Sequence, residues 1–210
     1  IYVYTAPVVA DLNLDGDPGK LQPSVVLTTW EQTALGRIGT LRVFDGRTCK
    51  EQMRLGGADA ADDSDRPAYG TQWAIGDLDG DVPSGGHPEI VGLHRTTGPD
   101  DKVALNLYAL GVDTSGANPA LKRLWYGRTC GAGGDVPVNF SSNLANFGPG
   151  LWDVDDDGKP EVVIDQMVFG ADGCLRNPVS DFFYLGHGVM SAVADADLDG
   201  KPDLVRFDRV

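Results

Sequence analysis

The sequence predicts an all-β fold, and three observations support that class. Glycine and proline are frequent, with 28 Gly and 13 Pro among 210 residues, and these two residues are the poorest helix formers. The apolar segments are short, β-branched and bounded by Gly or Pro, as at 25–27 and 162–164, which is typical of buried strands. Such segments recur on both sides of four aspartate-rich loops. We therefore predict repeated β-units and no helix.

Each unit reads as an apolar strand, an aspartate-rich loop and a second apolar strand. We name the loops loop 1 (11–24), loop 2 (77–89), loop 3 (153–161) and loop 4 (195–203). Further strands are expected between the units, because several other apolar stretches end in Asp-Gly or Gly turns. These stretches lie at 39–44, 103–110, 121–126, 168–169 and 182–185, and exposed insertions are expected at 59–65 and 113–120.

The loops are predicted to bind a hard cation. Loops 3 and 4 carry oxygen-bearing side chains at positions 1, 3 and 5, Gly at position 6 and an acid at position 9. Alternate residues of a curled loop point inward, Gly permits the sharp turn, and Ca²⁺ prefers oxygen ligands. In loop 2 the Gly comes at position 4. The predicted ligands of up to four Ca²⁺ ions are Asp11, Asn13, Asp15, Asp17, Asp77, Asp79, Asp81, Glu89, Asp153, Asp155, Asp157, Lys159, Glu161, Asp195, Asp197, Asp199, Lys201 and Asp203.

The loops also account for the charge of the chain. The formal net charge is −14. Fourteen of the 31 acids occupy ligand positions, and the remaining acids equal the 17 bases. Four carboxylates within nine residues would repel one another without a counter-ion, which favours cation sites over simple Asp-Gly turns. A surface this negative is expected to repel nucleic acid and anionic membranes, and no apolar run approaches the length of a membrane span.

An EF-hand is the main alternative for these loops, and the sequence argues against it. An EF-hand needs a Glu at position 12 and a helix on each side. Position 12 is Ile164 after loop 3 and Arg206 after loop 4, and the flanking segments read as strands. Each loop is therefore predicted to connect two strands.

The spacing of the loops predicts a β-propeller. Their first Asp residues are 66, 76 and 42 residues apart, which suits propeller blades carrying insertions. The whole chain, 1–210, is predicted to form a single partial propeller domain of about three and a half four-stranded blades. The repeats are expected near 3–60, 70–136, 140–188 and 189–210.

The repeated pattern of apolar strand, Asp-x-Asp/Asn-x-Asp-Gly, x-Pro-Asp/Glu and apolar strand resembles the FG-GAP or VCBS repeat. That family forms calcium-binding blades in integrin α-subunit propellers and in many secreted bacterial and fungal proteins. In loop 1 the resemblance is weaker, because Ser24 stands where the family usually has an acid and 17–22 is inserted. The family usually closes about seven blades into a ring. The resemblance therefore implies that the chain belongs to a larger propeller or is completed by a neighbouring subunit or by its own ends.

The remaining motifs give weaker expectations. Cys49, Cys130 and Cys174 each follow a turn, which leaves open a Cys130–Cys174 disulfide or small buried thiols, and their spacing matches no zinc motif. Trp73 and Trp152 lie in the apolar segments just before loops 2 and 3 and are expected to pack in the core. No catalytic arrangement is recognised around His87, His94 and His187, and the triplet at 139–141 is a glycosylation sequon that matters only in a glycosylating secretory pathway.

The function favoured by the sequence is a secreted or cell-surface, calcium-stabilised propeller that serves as a binding or adhesion scaffold rather than an enzyme. Its partner would be a protein or carbohydrate at an exposed propeller face. One alternative is a carbohydrate-active enzyme similar to polysaccharide lyases. Another is a subunit of an extracellular filament or surface array completed by neighbouring chains. Because the chain begins at Ile1 without a signal-like segment, it is expected to be mature, processed or truncated.

Overall fold

The computed structural model describes residues 2–3, 5–17, 19–33, 36–57, 65–97, 103–131, 134, 136–138, 148–177 and 191–206. Within these residues the regular structure is β, apart from one 3-10 turn at Val82–Ser84. The all-β prediction is confirmed for this part of the chain. The strands are β1 (Tyr2–Val3), β2 (Val8–Asp11), β3 (Pro23–Thr33), β4 (Gly36–Asp45), β5 (Glu51–Gly56), β6 (Ala74–Gly76), β7 (Glu89–Thr97), β8 (Val103–Asp113), β9 (Ala120–Tyr126), β10 (Arg128–Thr129), β11 (Pro137–Val138), β12 (Gly150–Trp152), β13 (Glu161–Ile164), β14 (Met167–Phe169), β15 (Cys174–Leu175), β16 (Ser191–Ala194) and β17 (Asp203–Arg206).

Three sheets follow a common plan and a fourth begins in the same way. Sheet 1 has the order β2–β3–β4–β5, and β1 extends the β2 edge of β3. Sheet 2 has the order β6–β7–β8–β9, and β11 also pairs with β8. Sheet 3 has the order β12–β13–β14–β15, and β10 adds to β15 in parallel. The β16–β17 hairpin corresponds to the first two strands of this plan.

Sheet 2 lies between sheets 1 and 3 and is buried on both faces. Alternation along β7 sends Ile90 towards sheet 1, where it joins a core containing Val26 and Leu41. The same alternation sends Val91 towards sheet 3, where it joins a core containing Phe169. Burial on both faces explains why residues 90–93 of β7 and most of β8 are apolar instead of alternating with polar residues. The described strands form open sheets, and none of them closes on itself.

A disulfide joins the parts of the chain that carry sheets 2 and 3. Cys130 follows β10 and Cys174 begins β15, with their Cα atoms 5.2 Å apart. The Cys130–Cys174 pairing is therefore confirmed over the alternative of buried thiols. Cys49 is a free, exposed thiol.

The prediction that Trp152 packs in the core is wrong, whereas Trp73 is buried as expected. Trp73 is 4% exposed and Trp152 is 43% exposed. The reason is strand alternation: Leu151 packs against the core between sheets 2 and 3, so its neighbour Trp152 points to the other face of β12. There the indole lies over Gly150, whose missing side chain leaves it room.

Several sequence predictions fall outside the described residues. These are the strand at 182–185, His187, the sequon at 139–141 and all but the last residue of the insertion at 59–65. The insertion at 113–120 is largely exposed, as predicted. Among the residues described, no helix has the length and apolar character that crossing a membrane requires.

Candidate metal centre

The four loops connect strands in one common register. We call the last residue of each loop its exit position; this is Ser24, Glu89, Glu161 or Asp203. In each unit, the residue two before the first Asp pairs with the residue that follows the exit position. The pairs are Val9 with Val25, Ile75 with Ile90, Leu151 with Val162 and Val193 with Leu204. The insertions in loops 1 and 2 therefore bulge outward without shifting the strands, and Ser24 occupies the place of Glu89, Glu161 and Asp203.

The exit acid anchors the start of its loop. Glu89 accepts a hydrogen bond from the backbone N–H of Leu78 at 2.7 Å. In loop 3 Glu161 accepts one from Val154 at 2.9 Å, and in loop 4 Asp203 accepts one from Ala196 at 3.0 Å. The bond turns the exit carboxylate back towards the first residues of the loop. In loop 1 the Ser24 hydroxyl instead donates to the Gln52 side chain at 2.9 Å.

In loops 2, 3 and 4 the carboxylate of the first Asp accepts hydrogen bonds from backbone N–H groups of the turn that follows it. Asp77 accepts hydrogen bonds from the N–H groups of Gly80 and Asp81, at 2.8 and 3.0 Å. Asp153 and Asp195 accept corresponding bonds from Gly158 and Gly200, at 2.9 and 3.0 Å. The three glycines have φ of 82°, 88° and 87°, a left-handed conformation that other residues rarely adopt. The Gly of the motif is thus required by the turn.

These contacts gather carboxylates into three groups that could hold a metal ion. In each group one oxygen per residue lies within 4.8 Å of the others. Oxygens at this separation can share one Ca²⁺, which lies about 2.3–2.6 Å from each ligand. The all-oxygen donor set also suits a hard cation. The groups are Asp77, Asp79 and Asp81; Asp153, Asp155 and Glu161; and Asp195, Asp197 and Asp199.

The raised pKa values of loop carboxylates favour a cation in these loops. Glu89 is only 4% exposed, and burial, together with the carboxylates of loop 2, raises its pKa to about 7. Burial and the Asp residues of loop 3 likewise raise the pKa of Glu161, which is 7% exposed. The pKa of Asp81 is raised by burial and by Asp79 and Asp77. A bound cation would relieve the repulsion and desolvation that cause these shifts.

Loop 1 differs from the other three. Lys20 forms an ion pair with Asp15 at 2.8 Å, and this hydrogen bond is the main cause of the lowered pKa of Asp15. Asp11 accepts N–H bonds from Asn13 and Gln22, and Asp17 accepts one from Gly19. Within the described residues no group of three ligating acids forms in loop 1.

The predicted ligands outside the three groups lie beside them or in loop 1. The Lys159 and Lys201 ammonium groups cannot ligate a cation, because they carry no lone pair. Their backbone N–H groups donate to Asp157 and Asp199, both at 2.8 Å. The predicted ligands that are not in the three groups are Asp11, Asn13, Asp15, Asp17, Glu89, Asp157, Lys159, Lys201 and Asp203.

Contacts between loops were not foreseen from the sequence. The Asn13 side chain donates to the Gly86 carbonyl at 2.7 Å, and His87 Nδ1 lies 3.0 Å from the Leu12 carbonyl oxygen. Lys159 Nζ donates to the Asp79 carbonyl at 2.8 Å. Loops 1, 2 and 3 therefore lie side by side. No motif signals these contacts, because the partners are about 70–80 residues apart and meet only when the sheets stack.

A second polar cluster was also missed. His94 is buried and stacks on Tyr126, with ring centroids 4.4 Å apart. The Arg123 guanidinium lies 4.3 Å from the Tyr126 ring centroid and pairs with Asp65. Burial and the hydrogen bond to Asp65 raise the pKa of Tyr126 to about 12, so this phenol is protonated at neutral pH. Only the alternation of polar residues along β7–β9 could have indicated this cluster.

Comparison with known proteins shows the fold. No protein-family model matches the chain, and no curated protein matches it. The chain is similar to the crystal structure of rhamnogalacturonan lyase YesW, with a TM-score of 0.54 and 22% identity over 96% of this chain and 35% of that one. It is also similar to exotype rhamnogalacturonan lyase YesX, with a TM-score of 0.56 and 20% identity over 96% of this chain and 34% of that one. The chain spans about a third of the length of either structure.

These similarities correct the expectation that the chain is not an enzyme. The two solved structures named above are both lyases, and neither is an adhesion protein or scaffold by its description. The residue pattern was misleading because aspartate-rich loops between strands carry no information about whether a protein is an enzyme. At this level of identity the comparison shows a fold shared with part of two enzymes.

Proposed function

We propose that this chain is part of the β-propeller of a secreted, calcium-binding polysaccharide lyase that acts on acidic, rhamnogalacturonan-type polysaccharides. The observation that carries the proposal is fold similarity to two rhamnogalacturonan lyases over 96% of the chain. The three carboxylate groups support the calcium part. This replaces the adhesion scaffold favoured by the sequence and adopts its enzymatic alternative.

The stacking of the sheets supports the propeller. The first strands of sheets 1, 2 and 3 lie side by side, with β6 between β2 and β12. The last strands of sheets 1 and 2, β5 and β9, are also neighbours. Successive four-stranded sheets with aligned first strands are the arrangement of propeller blades. The repeated Asp-rich motif, which resembles FG-GAP and VCBS repeats, agrees with this proposal.

Calcium and an extracellular location support each other. Strand-connecting loops with only oxygen donors favour Ca²⁺ over zinc or copper. Extracellular calcium suits sites with dissociation constants of about 10⁻⁴ to 10⁻³ M. The Cys130–Cys174 disulfide is of a kind that persists in oxidising compartments. A bound ion would stabilise the folded state, because the ligands are dispersed in the unfolded chain.

The charge of the chain constrains how an acidic substrate could bind. Three divalent ions would reduce the net charge from −14 to −8, which still repels a polyanion. Substrate binding therefore needs local positive charge, from cations in the loops or from Arg and Lys side chains. The described residues give no base that we can assign to the reaction.

The proposal is tested by incubating the purified protein with rhamnogalacturonan in millimolar Ca²⁺ and measuring the ultraviolet absorbance of unsaturated products. We expect a rise in absorbance that EDTA abolishes and calcium restores. A neutral polysaccharide without uronic acid serves as the substrate control. No product with rhamnogalacturonan, or equal product with the neutral polymer, would contradict the proposal.

Self-association is a second candidate, favoured by one observation. Among the described strands, β17 pairs only with β16, whereas β3, β7 and β13 each pair on both edges. A strand from a neighbouring chain could add to such an edge. Light scattering across a concentration series should show growing assemblies if this occurs and a constant mass if it does not.

A further inference from the structure

Lys159 contacts two neighbouring loops at once. Its backbone N–H donates to Asp157 Oδ1 within loop 3 at 2.8 Å, and its Nζ donates to the Asp79 carbonyl in loop 2 at 2.8 Å. The side chain passes beside Gly80, where an added Cβ would lie 3.4 Å from Lys159 Cε. Lys159 therefore connects the backbone of loop 3 to the backbone of loop 2.

We propose that Lys159 links the cation sites of loops 2 and 3, so that ordering loop 3 also orders loop 2. This inference rests on the proposed cation binding in the two loops. A cation held by Asp153, Asp155 and Glu161 fixes loop 3 and with it the backbone of Lys159. The ammonium group is then held at Asp79, so loop 2 has lost part of its freedom before its own ion binds. The ordering cost of the second ion is correspondingly smaller.

The charge of Lys159 works against this linkage but is the weaker effect. The ammonium group is exposed, so its repulsion of a cation in loop 2 is screened by water and salt. Its hydrogen bond to a carbonyl has a fixed partner and acts over contact distance. We therefore expect occupation of one loop to favour occupation of the other.

Loop 4 provides a matched control within the same chain. Lys201 occupies the same loop position as Lys159, and its backbone N–H makes the same bond, to Asp199 at 2.8 Å. Within the described residues its ammonium group has no hydrogen bond to another loop. Replacing either lysine by Met removes the charge and keeps the length of the side chain. Only Lys159→Met should affect loop 2.

The first measurement is hydrogen exchange of the 77–89 segment in EDTA. Lys159→Met should speed exchange there about three- to tenfold, as expected for one partly exposed charge-assisted hydrogen bond. Lys201→Met should leave it unchanged. Equal exchange of this segment in the two variants would overturn the proposal. This comparison needs neither cation nor substrate, so a failure of the proposed lyase function or of calcium binding would be seen separately.

The second measurement tests transmission in millimolar Ca²⁺. Asp155→Asn weakens the site in loop 3 and should speed exchange in loop 2 of the otherwise native protein. In the Lys159→Met background the same substitution should have little further effect, which is the signature of coupled residues. Asp197→Asn in loop 4 is the control and should leave loop 2 unchanged. An equal effect of Asp155→Asn in both backgrounds would refute the linkage.

Discussion

Loops 1 and 4 connect strands in the same register, yet their carboxylates have different neighbours. In loop 1 the Lys20 ammonium group pairs with Asp15, and the exit residue is the neutral Ser24. In loop 4 Asp195, Asp197 and Asp199 converge, and no described basic side chain pairs with them. The comparison teaches that the hairpin itself does not require a cation. We expect a cation only where acids converge without a basic partner of their own.

The largest effect expected is that of removing calcium from all three acidic groups. If each site is about tenfold above its dissociation constant, three sites together contribute about 4 kcal/mol, or on the order of 10 °C in melting temperature. Calorimetry in Ca²⁺ and in EDTA measures this. Magnesium at equal ionic strength is the control for nonspecific screening. An unchanged melting temperature in EDTA would contradict the assignment of all three groups.

Single substitutions should show which loops contribute calcium-dependent stability. Asp155→Ala and Asp197→Ala should each lower the melting temperature in calcium by about 3–5 °C, the contribution of one site. Asp15→Ala should leave the calcium-dependent part of the stability unchanged, because loop 1 has its own ammonium group. If Asp15→Ala reduced the calcium response as much as Asp197→Ala, the contrast between loops 1 and 4 would be lost.

The effect of Glu161→Gln on the melting temperature should have opposite signs with and without calcium. Without cation, the amide removes a buried charge that Asp153, Asp155 and Asp157 repel. Val154 keeps an acceptor, so the melting temperature should rise by about 1–3 °C. With calcium, the variant lacks one anionic ligand and should be less stable than the native protein. Glu31→Gln, away from the loops, should show no such reversal. A uniform decrease in both conditions would mean that Glu161 acts only through its hydrogen bond.

The smallest effect is expected from Lys20→Met. The ion pair is exposed, and such pairs contribute little to stability, so the melting temperature in EDTA should fall only slightly. The informative readout is calcium stoichiometry by isothermal titration, which should gain binding at loop 1 because Asp15 is released. Lys50→Met is a control outside the loops. An unchanged stoichiometry would show that the missing exit acid, and not Lys20, prevents binding in loop 1.

The periodic features of the chain were predictable from sequence. The strand, loop and strand units, their alignment at Ser24 and the oxygen-rich positions all follow from local chemistry repeated four times. The Cys130–Cys174 pairing was one of two alternatives that the sequence left open, and the structure decides between them. The side-by-side placement of loops 1, 2 and 3 was not predictable, because it depends on how whole sheets stack. The prediction that Trp152 is buried was wrong for a related reason: the orientation of its side chain is set by which face of β12 meets sheet 2.

Whether the protein is an enzyme was the property least predictable from the sequence. The acids that dominate the sequence lie in loops between strands and indicate a cation, so the strongest pattern says little about catalysis. The cluster of Asp65, His94, Arg123 and Tyr126 comes together from β7, β9 and the segment before β6, and its residues are unremarkable one by one. Sites assembled across strands leave no short motif to find.

The exchange of β10 between neighbouring sheets has a mechanical consequence. β10 follows the last strand of sheet 2 but pairs with β15 of sheet 3, and the disulfide fastens the same corner. Among the described residues, sheets 1 and 2 are held together by a side-chain core and by hydrogen bonds between loops 1 and 2, with no shared strand and no disulfide. Under pulling force or in mild denaturant, we expect sheet 1 to separate first. Sheets 2 and 3 should stay joined by the disulfide until a reductant cleaves it.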